Sequence, residues 1–342
     1  SYRFMGANSK AALAYNEAIR LNENLGAAYV GKARILPYVG GANSVISTLN
    51  TAIEKDPFFA EAYLERAKYR IDQKRYDEAL EDLEEAKRLA PNSAPVYYQL
   101  AKVYRAQDEL EDALEAAEQS FELDRTILET YLLLGQLYEA NGQMDKAVDV
   151  LETYTAYEEE SVEALSILGG AYYTEEDYNT AIEFLDRVID LDRRAGKAYL
   201  YRGLSYLEKR DGENAVDDLD NAHRYLPDSF EASISLAQAH ILLDHYGDCY
   251  LQVERTRPLV ETELQEALIY YWRATCHEGR EDPESAIEDW QALLDMPLSQ
   301  ETSDMREEAR QHLAELYTPT PTTTVEATET PSPSETPTPE SE

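Results

Sequence analysis

The chain has 342 residues, with 31 Lys and Arg against 68 Asp and Glu, and a formal net charge of −37. That acid excess argues against a nucleic-acid partner, which needs clustered Lys and Arg, and against attachment to anionic lipid. Two cysteines are too few for a disulfide scaffold, and no run reaches the roughly 18 apolar residues of a membrane span.

Tyrosine is over-used, at 26 residues against 6 Phe and 2 Trp. Its placement is periodic. Steps of 34 residues connect Tyr29, Tyr63, Tyr97, Tyr131, Leu165 and Tyr199. The same step connects Ala33, Ala67, Ala101, Gly135, Gly169, Gly203 and Ala237, and also Ala11, Val45, Ala79, Ala113, Ala147, Ala181, Ala215 and Cys249. Within a period, apolar residues recur at helical spacing in two blocks, as in Ala62, Tyr63, Ala67 and then Ala79, Leu83, Ala86, separated by the polar Gln73-Lys74-Arg75. Each period is therefore expected to be a helical hairpin. The small residues mark where its two helices cross, and stacking of hairpins supplies the core that one alone lacks. The Tyr stripe is read as core packing rather than a cofactor site.

The pattern resembles the tetratricopeptide repeat family. Tyr stands at the first aromatic slot and Leu three residues later (Leu100, Leu134, Leu168). Gly or Ala follows, then Tyr104, Tyr138, Tyr172 and Tyr206, then the second-helix Ala and a closing Pro such as Pro57 or Pro91. The resemblance implies an all-α fold, a right-handed α-solenoid of stacked 34-residue helix-turn-helix repeats with a disordered C-terminal tail.

In chain order, residues 1–25 are expected to be a partial repeat, the second helix of a truncated unit. Carried back, the register puts Tyr2 on a Tyr slot and Gly6 at a turn, so the chain reads as a fragment or processed product of something longer, with a frayed lead-in over Tyr2–Met5 as the alternative. Eight repeats follow over 26–300. The phase slips by three near Pro258 and residues 264–266, where a longer second helix or turn is expected. A capping helix over 305–317, opened by Ser303 or Asp304, carries a charged face of Arg306, Glu307, Glu308, Arg310 and Glu315 that suits the end of an array. Residues 318–342 hold 9 Thr, 6 Pro, 5 Glu and 3 Ser with no basic residue, a composition that cannot bury a core. Such Thr-Pro runs resemble the O-glycosylated stalks of exported bacterial proteins. The expected location is therefore extracellular or at a bacterial cell surface, with the cytoplasm as the alternative.

No phosphate loop, zinc-protease motif, nucleophile elbow or Cys-x-x-Cys is present, so neither an enzyme nor a cofactor is expected. His240, Cys249, Cys276 and His277 fall in two neighbouring units and admit a zinc reading or a Cys249–Cys276 disulfide. Each also stands where a repeat takes a small or aromatic core residue, and no metal site is expected. Acid pairs such as Glu81-Asp82, Glu84-Glu85 and Asp217-Asp218 fall on second helices and are read as a solvated outer face.

The resemblance also implies a concave groove, lined by first helices, that holds a partner's peptide. The corresponding places give Arg34, Lys68, Lys102 and Arg105, with Tyr98, in the first three repeats. Later repeats give Leu132, Tyr173, Leu200, Leu204, Leu207, Ile234, Ile241 and Tyr271. The expected occupant is an extended segment with an acidic part on the cations and apolar side chains beyond. The competing reading pairs the cations with neighbouring acids such as Glu65 and Asp72. Arg34 and Gln99 stand where the chaperone-binding version of the family has Asn, so chaperone binding is not expected. The function expected is a scaffold or adaptor for a protein or peptide partner, without nucleic acid or direct membrane contact. The alternative is a self-assembling surface protein, a homo-oligomer or filament built by stacking of repeats.

Overall fold

The computed structural model describes residues 2–317 except 40, 42, 43 and 298, with side chains from residue 7 onward. The tail expected to be disordered, 318–342, lies outside the described residues. Among the described residues there are eighteen α-helices and no strand. None of these helices is long and apolar enough to cross a membrane.

The helices form two compact units that divide between Leu226 and Pro227. In the first unit α1 (Tyr2–Leu21) precedes six hairpins. These are α2 (Gly26–Ile35) with α3 (Val45–Lys55), α4 (Ala60–Asp72) with α5 (Tyr76–Leu89), and α6 (Ala94–Ala106) with α7 (Leu110–Leu123). There follow α8 (Leu128–Ala140) with α9 (Met144–Thr155), α10 (Val162–Thr174) with α11 (Tyr178–Leu191), and α12 (Gly196–Glu208) with α13 (Gly212–Tyr225). The second unit holds α14 (Phe230–Leu242) with α15 (Tyr246–Thr256), α16 (Glu263–Gly279) with α17 (Pro283–Asp295), and α18 (Ser303–Tyr317). Within each unit a helix packs on its hairpin partner, and each second helix packs on the first helix of the next hairpin.

Two details differ from the sequence reading, and in a third, the register slip, the structure takes the longer turn of the two alternatives expected. Gly6 lies inside α1 instead of at a turn; one Gly costs a helix only about 1 kcal/mol, too little to end it. The helix α2 stops at Ile35 and passes into a 3-10 turn, Leu36–Val39, because Pro37 cannot continue an α-helix. The register slip is absorbed in a 3-10 turn, Arg257–Leu259, and in an α16 of 17 residues, while α15 has only 11. The second helix is thus shortened, and a capping box between Thr262 and Gln265 starts α16 afresh.

The small-residue register does what its chemistry suggests. A Cβ placed on Gly169 would lie 2.6 Å from the Leu185 side chain on α11, and Gly135 and Gly203 meet Leu151 and Leu219 in the same way. Gly169→Ala is expected to cost about 1–3 kcal/mol by overpacking. Urea denaturation followed by circular dichroism checks this; an unchanged midpoint would mean that the two helices are free to separate.

The hairpin turns are also regular. Lys74, Asp108, Gly142, Glu176, Arg210, Asp244 and Glu281 all have φ between 57° and 69°. Each is the fifteenth residue of its repeat, and the amide that follows donates to a carbonyl five residues back, as Arg75 does to Arg70.

Tyr rather than Phe is explained by its hydroxyl. Those of Tyr29, Tyr63 and Tyr131 donate to the carbonyls of Glu23, Pro57 and Arg125, tying each first helix to the connection before it. The hydroxyls of Tyr138 and Tyr172 donate to Glu118 and Glu152 on the preceding second helix. That hydrogen bond, with burial second, pushes the Tyr172 phenol up to about 12.

The reading of all the acid pairs as solvated is corrected. Asp82 and Asp218 are only 2% and 4% exposed. Arg66 and Arg202 grip them through two nitrogens each, and Arg273 grips Asp289, also 4% exposed, in the same way. The pairing follows the period. Where the seventh place of a repeat is Arg, the twenty-third is Asp (Arg66/Asp82, Arg202/Asp218, Arg273/Asp289). Where the seventh is Leu in the three hairpins from α6 to α11, the twenty-third is apolar (Leu100/Ala116, Leu134/Val150, Leu168/Phe184). Each of these six sites is polar on both helices or on neither, which avoids a buried unpaired charge; in α14–α15 the places hold Leu236 and Gln252, and Gln252 donates to Ser233 instead.

Arg306 is corrected too. It is 9% exposed, and its guanidinium donates to the carbonyls of Leu293, Leu294 and Met296 at the end of α17. It serves as a cap to that helix instead of meeting water. Glu307, Glu308, Arg310 and Glu315 are exposed.

Candidate functional site

In the first unit neighbouring first helices meet in two runs, α2–α4–α6 and α8–α10–α12, and a hydrogen bond from Arg105 to Gln136 joins α6 to α8. Arg34 on α2 bonds Glu61 and Glu65 on α4, at 2.6 and 2.8 Å, and Lys68 bonds the same Glu65 at 2.8 Å. Burial pushes the Glu65 carboxyl up, but the two cations more than offset this and hold it below the usual carboxylate range. Asp72 takes no part in these pairs but lines a cavity of about 490 Å³ with Arg34, Lys68 and Tyr38.

Lys102 on α6 lies over the ring of Tyr98, 5.7 Å from its centroid, and Arg105 donates to the Gln136 side chain on α8. No ion pair to a carboxylate forms at Lys102 or Arg105 among the described residues. The four cations expected as one strip thus divide into a neutralised pair and a pair with charge to spare.

The apolar half of the expected strip is corrected. Leu200 and Leu204 on α12 are 5% and 8% exposed, and Ile234 on α14 is 4% exposed. All three are core residues, and Ile234 packs with residues of α15 and α16. Leu132 and Leu207 are half-buried, and Tyr173 packs between Tyr178 and Tyr201 at 5.9 and 5.6 Å. Ile234, Ile241 and Tyr271 belong to the second unit. There Ile241 packs on the α14–α16 core, while Tyr271 makes a T-shaped ring contact with Trp290 and donates to Glu308 on α18.

Residues 58–126 match a family model described as tetratricopeptide repeat, and residues 132–199 match a second model of the same description. Residues 58–126 and 132–199 are tetratricopeptide repeats. Among solved structures, it is similar to a tetratricopeptide repeat protein from Parabacteroides merdae. The identity is 17% over 73% of this chain and 98% of that one, with a TM-score of 0.50. It is also similar to the APC/C hetero-tetramer Cut9-Hcn1, at 16% identity over 86% of this chain and 58% of that one, with a TM-score of 0.51. At these identities the likeness is one of fold. Comparison with curated proteins found no match.

On this tetratricopeptide face a cavity of about 310 Å³ opens between α8, α10 and α12, lined by Glu139, Glu163, Ser166, Lys197 and Tyr201. Partial desolvation pushes the Glu139 carboxyl up, Lys197 pulls it back, and Glu163 adds to the rise. Sequence reasoning missed these polar residues although the signal was present. Glu163 and Lys197 hold the second place of their repeats, and Ser166 holds the fifth, the place that Tyr98, Leu132 and Leu200 hold in theirs.

In the second unit Cys249 and Cys276 are joined as a disulfide, with Cα atoms 5.9 Å apart. They are therefore not available as metal ligands, and the four-residue zinc set read from the sequence does not assemble. His277 faces Asp282 at 3.2 Å, whereas His240 lies with His245 and Asp248.

Proposed function

We propose that the chain is a protein-interaction scaffold whose first unit presents its first-helix face to an extended peptide. The observation that carries this reading is the pair Lys102 and Arg105, which lies on that face and is not neutralised by carboxylates. The sign of charge then changes along the face, from these cations on α6 to Glu139 on α8 and Glu163 on α10. A peptide with an acidic group over α6 and a basic or amine group over α8–α10 is complementary to it. The cavity between α8 and α12 suits an intervening side chain.

A phage-displayed library of random linear peptides tests this. Enrichment of peptides carrying an acidic residue is expected, and Lys102→Glu with Arg105→Glu should abolish their binding while the helix content stays the same. No enrichment, or binding that survives the charge reversal, would remove the proposal.

The scaffold is further proposed to work outside the cytosol. Support comes from the Cys249–Cys276 bond, since disulfides persist in oxidising compartments, and from the Thr/Pro/Glu composition of residues 318–342. Subcellular fractionation decides between this and a cytoplasmic location.

A further inference from the structure

The turn between α14 and α15 gathers three side chains of metal-binding type. His240 stands in the last turn of α14, His245 immediately precedes α15, and Asp248 lies in the first turn of α15. One ligand atom from each lies within 4.8 Å of the other two. The imidazole rings are 6.2 Å apart, centre to centre. We propose that His240, His245 and Asp248 form a site for a divalent transition-metal cation of the zinc type.

The backbone holds these residues in place. Asp244 adopts the left-handed φ of 58°, and the His245 amide donates to the His240 carbonyl at 2.9 Å, which fixes the two histidine backbones relative to each other. Tyr246 packs against Gly279 on α16 and donates its hydroxyl to Asp244 at 2.8 Å. Cys249, next to Asp248, is cross-linked to α16. Ligands on a turn tied down at both ends lose little freedom when a cation binds.

The donor set selects the ion. Two imidazoles and one carboxylate suit Zn2+, Co2+, Ni2+ or Cu2+, whereas Mg2+ and Ca2+ take oxygen ligands. Tetrahedral ligands at zinc are about 3.3 Å apart, so closure asks for a modest rotation of side chains. His245 and Asp248 are exposed and can make it. The C-terminal end of α14 carries the negative pole of its dipole beside His240. Three protein ligands leave at least one coordination position open to water or to an outside group. The inference is independent of the peptide face in the first unit.

The test uses the full chain without an affinity tag and zinc chloride alone, read by competition with a chromophoric chelator. One zinc per chain is expected, undisturbed by excess Mg2+. His245→Ala and Asp248→Asn, both at exposed positions, should each weaken binding by about tenfold or more. His223→Ala, on α13 in the other unit, should leave it unchanged. No bound zinc, displacement of zinc by Mg2+, or equal affinity in the wild type and the two site variants would each overturn the proposal. Circular dichroism of the variants shows that a loss of zinc is not a loss of fold.

Discussion

Asp82→Ala is expected to destabilise the first unit by about 3–5 kcal/mol, the usual result of stranding a buried cation. Asp82 holds two guanidinium groups at once: Arg66 through two nitrogens, at distances down to 2.6 Å, and Arg70 at 2.7 Å. Both arginine side chains are mostly buried, at 16% and 13% exposure. After the substitution Arg66 keeps Asn50, and Arg70 keeps the Glu78 carbonyl and carboxylate. The carboxylate at their centre is lost.

The next hairpin supplies the rescue. In α6 and α7 the equivalent places hold Leu100, Tyr104 and Ala116. Arg66→Leu with Arg70→Tyr and Asp82→Ala copies that arrangement and should recover most of the loss, since a buried ion cluster replaced by fitted apolar residues is often neutral or better. Urea denaturation followed by circular dichroism gives both numbers. A single substitution costing under about 1 kcal/mol, within the range of exposed pairs, would show that the cluster is screened by water.

Replacing Cys249 and Cys276 together by Ala is expected to destabilise the second unit by about 3.5 kcal/mol, the chain-entropy value for a loop of that length; the two residues are 27 apart in sequence. Ala is the natural probe because the equivalent second-helix place holds Ala from Ala79 to Ala215 and the Cys276 place holds Ala171 and Ala239, so packing changes little. Both tryptophans of the chain, Trp272 and Trp290, lie in the second unit. Their fluorescence therefore reports its urea midpoint while leaving the first unit unseen. Coincident midpoints for the oxidised protein and the double variant would show that the cross-link constrains nothing. Two titratable thiols in the unreduced, denatured chain would show that it does not form.

What the sequence could reveal follows from what repeats. The hairpins and their crossing points at Gly135 or Gly169 were legible because core packing imposes the same residue type at the same place, and α18 was legible from the capping residues at its start and its charged face. The ion pairs were hidden for a different reason. Asp82 and Asp218 look like any acid on a second helix until the seventh place is read beside the twenty-third, because their burial depends on a partner sixteen residues away. The apolar groove residues failed the other way: Leu200 and Leu204 carry no mark that separates a groove-facing Leu from a core one. The cluster of His240, His245 and Asp248 was out of reach because two of its members are not periodic, and a periodic reading passes over them. The hairpin turns were located by polarity alone, since only Gly142 among the seven left-handed residues is a glycine.

The same guanidinium groups reach backward as well. Arg66 bonds Asn50, Arg202 bonds Asp186 at 2.5 Å, and Arg273 bonds Glu254 at 2.9 Å, each on the second helix of the preceding hairpin. The equivalent carboxylates Glu118 and Glu152 serve the next hairpin's tyrosines instead. Adjacent hairpins are therefore keyed to one another by unlike contacts, and the order of the hairpins is written into their chemistry. Duplicating or excising a hairpin by recombination would often set an arginine against a site prepared for a phenol, or the reverse. This chain can drift freely at exposed positions, yet it is poorly placed to grow or shrink by whole repeats.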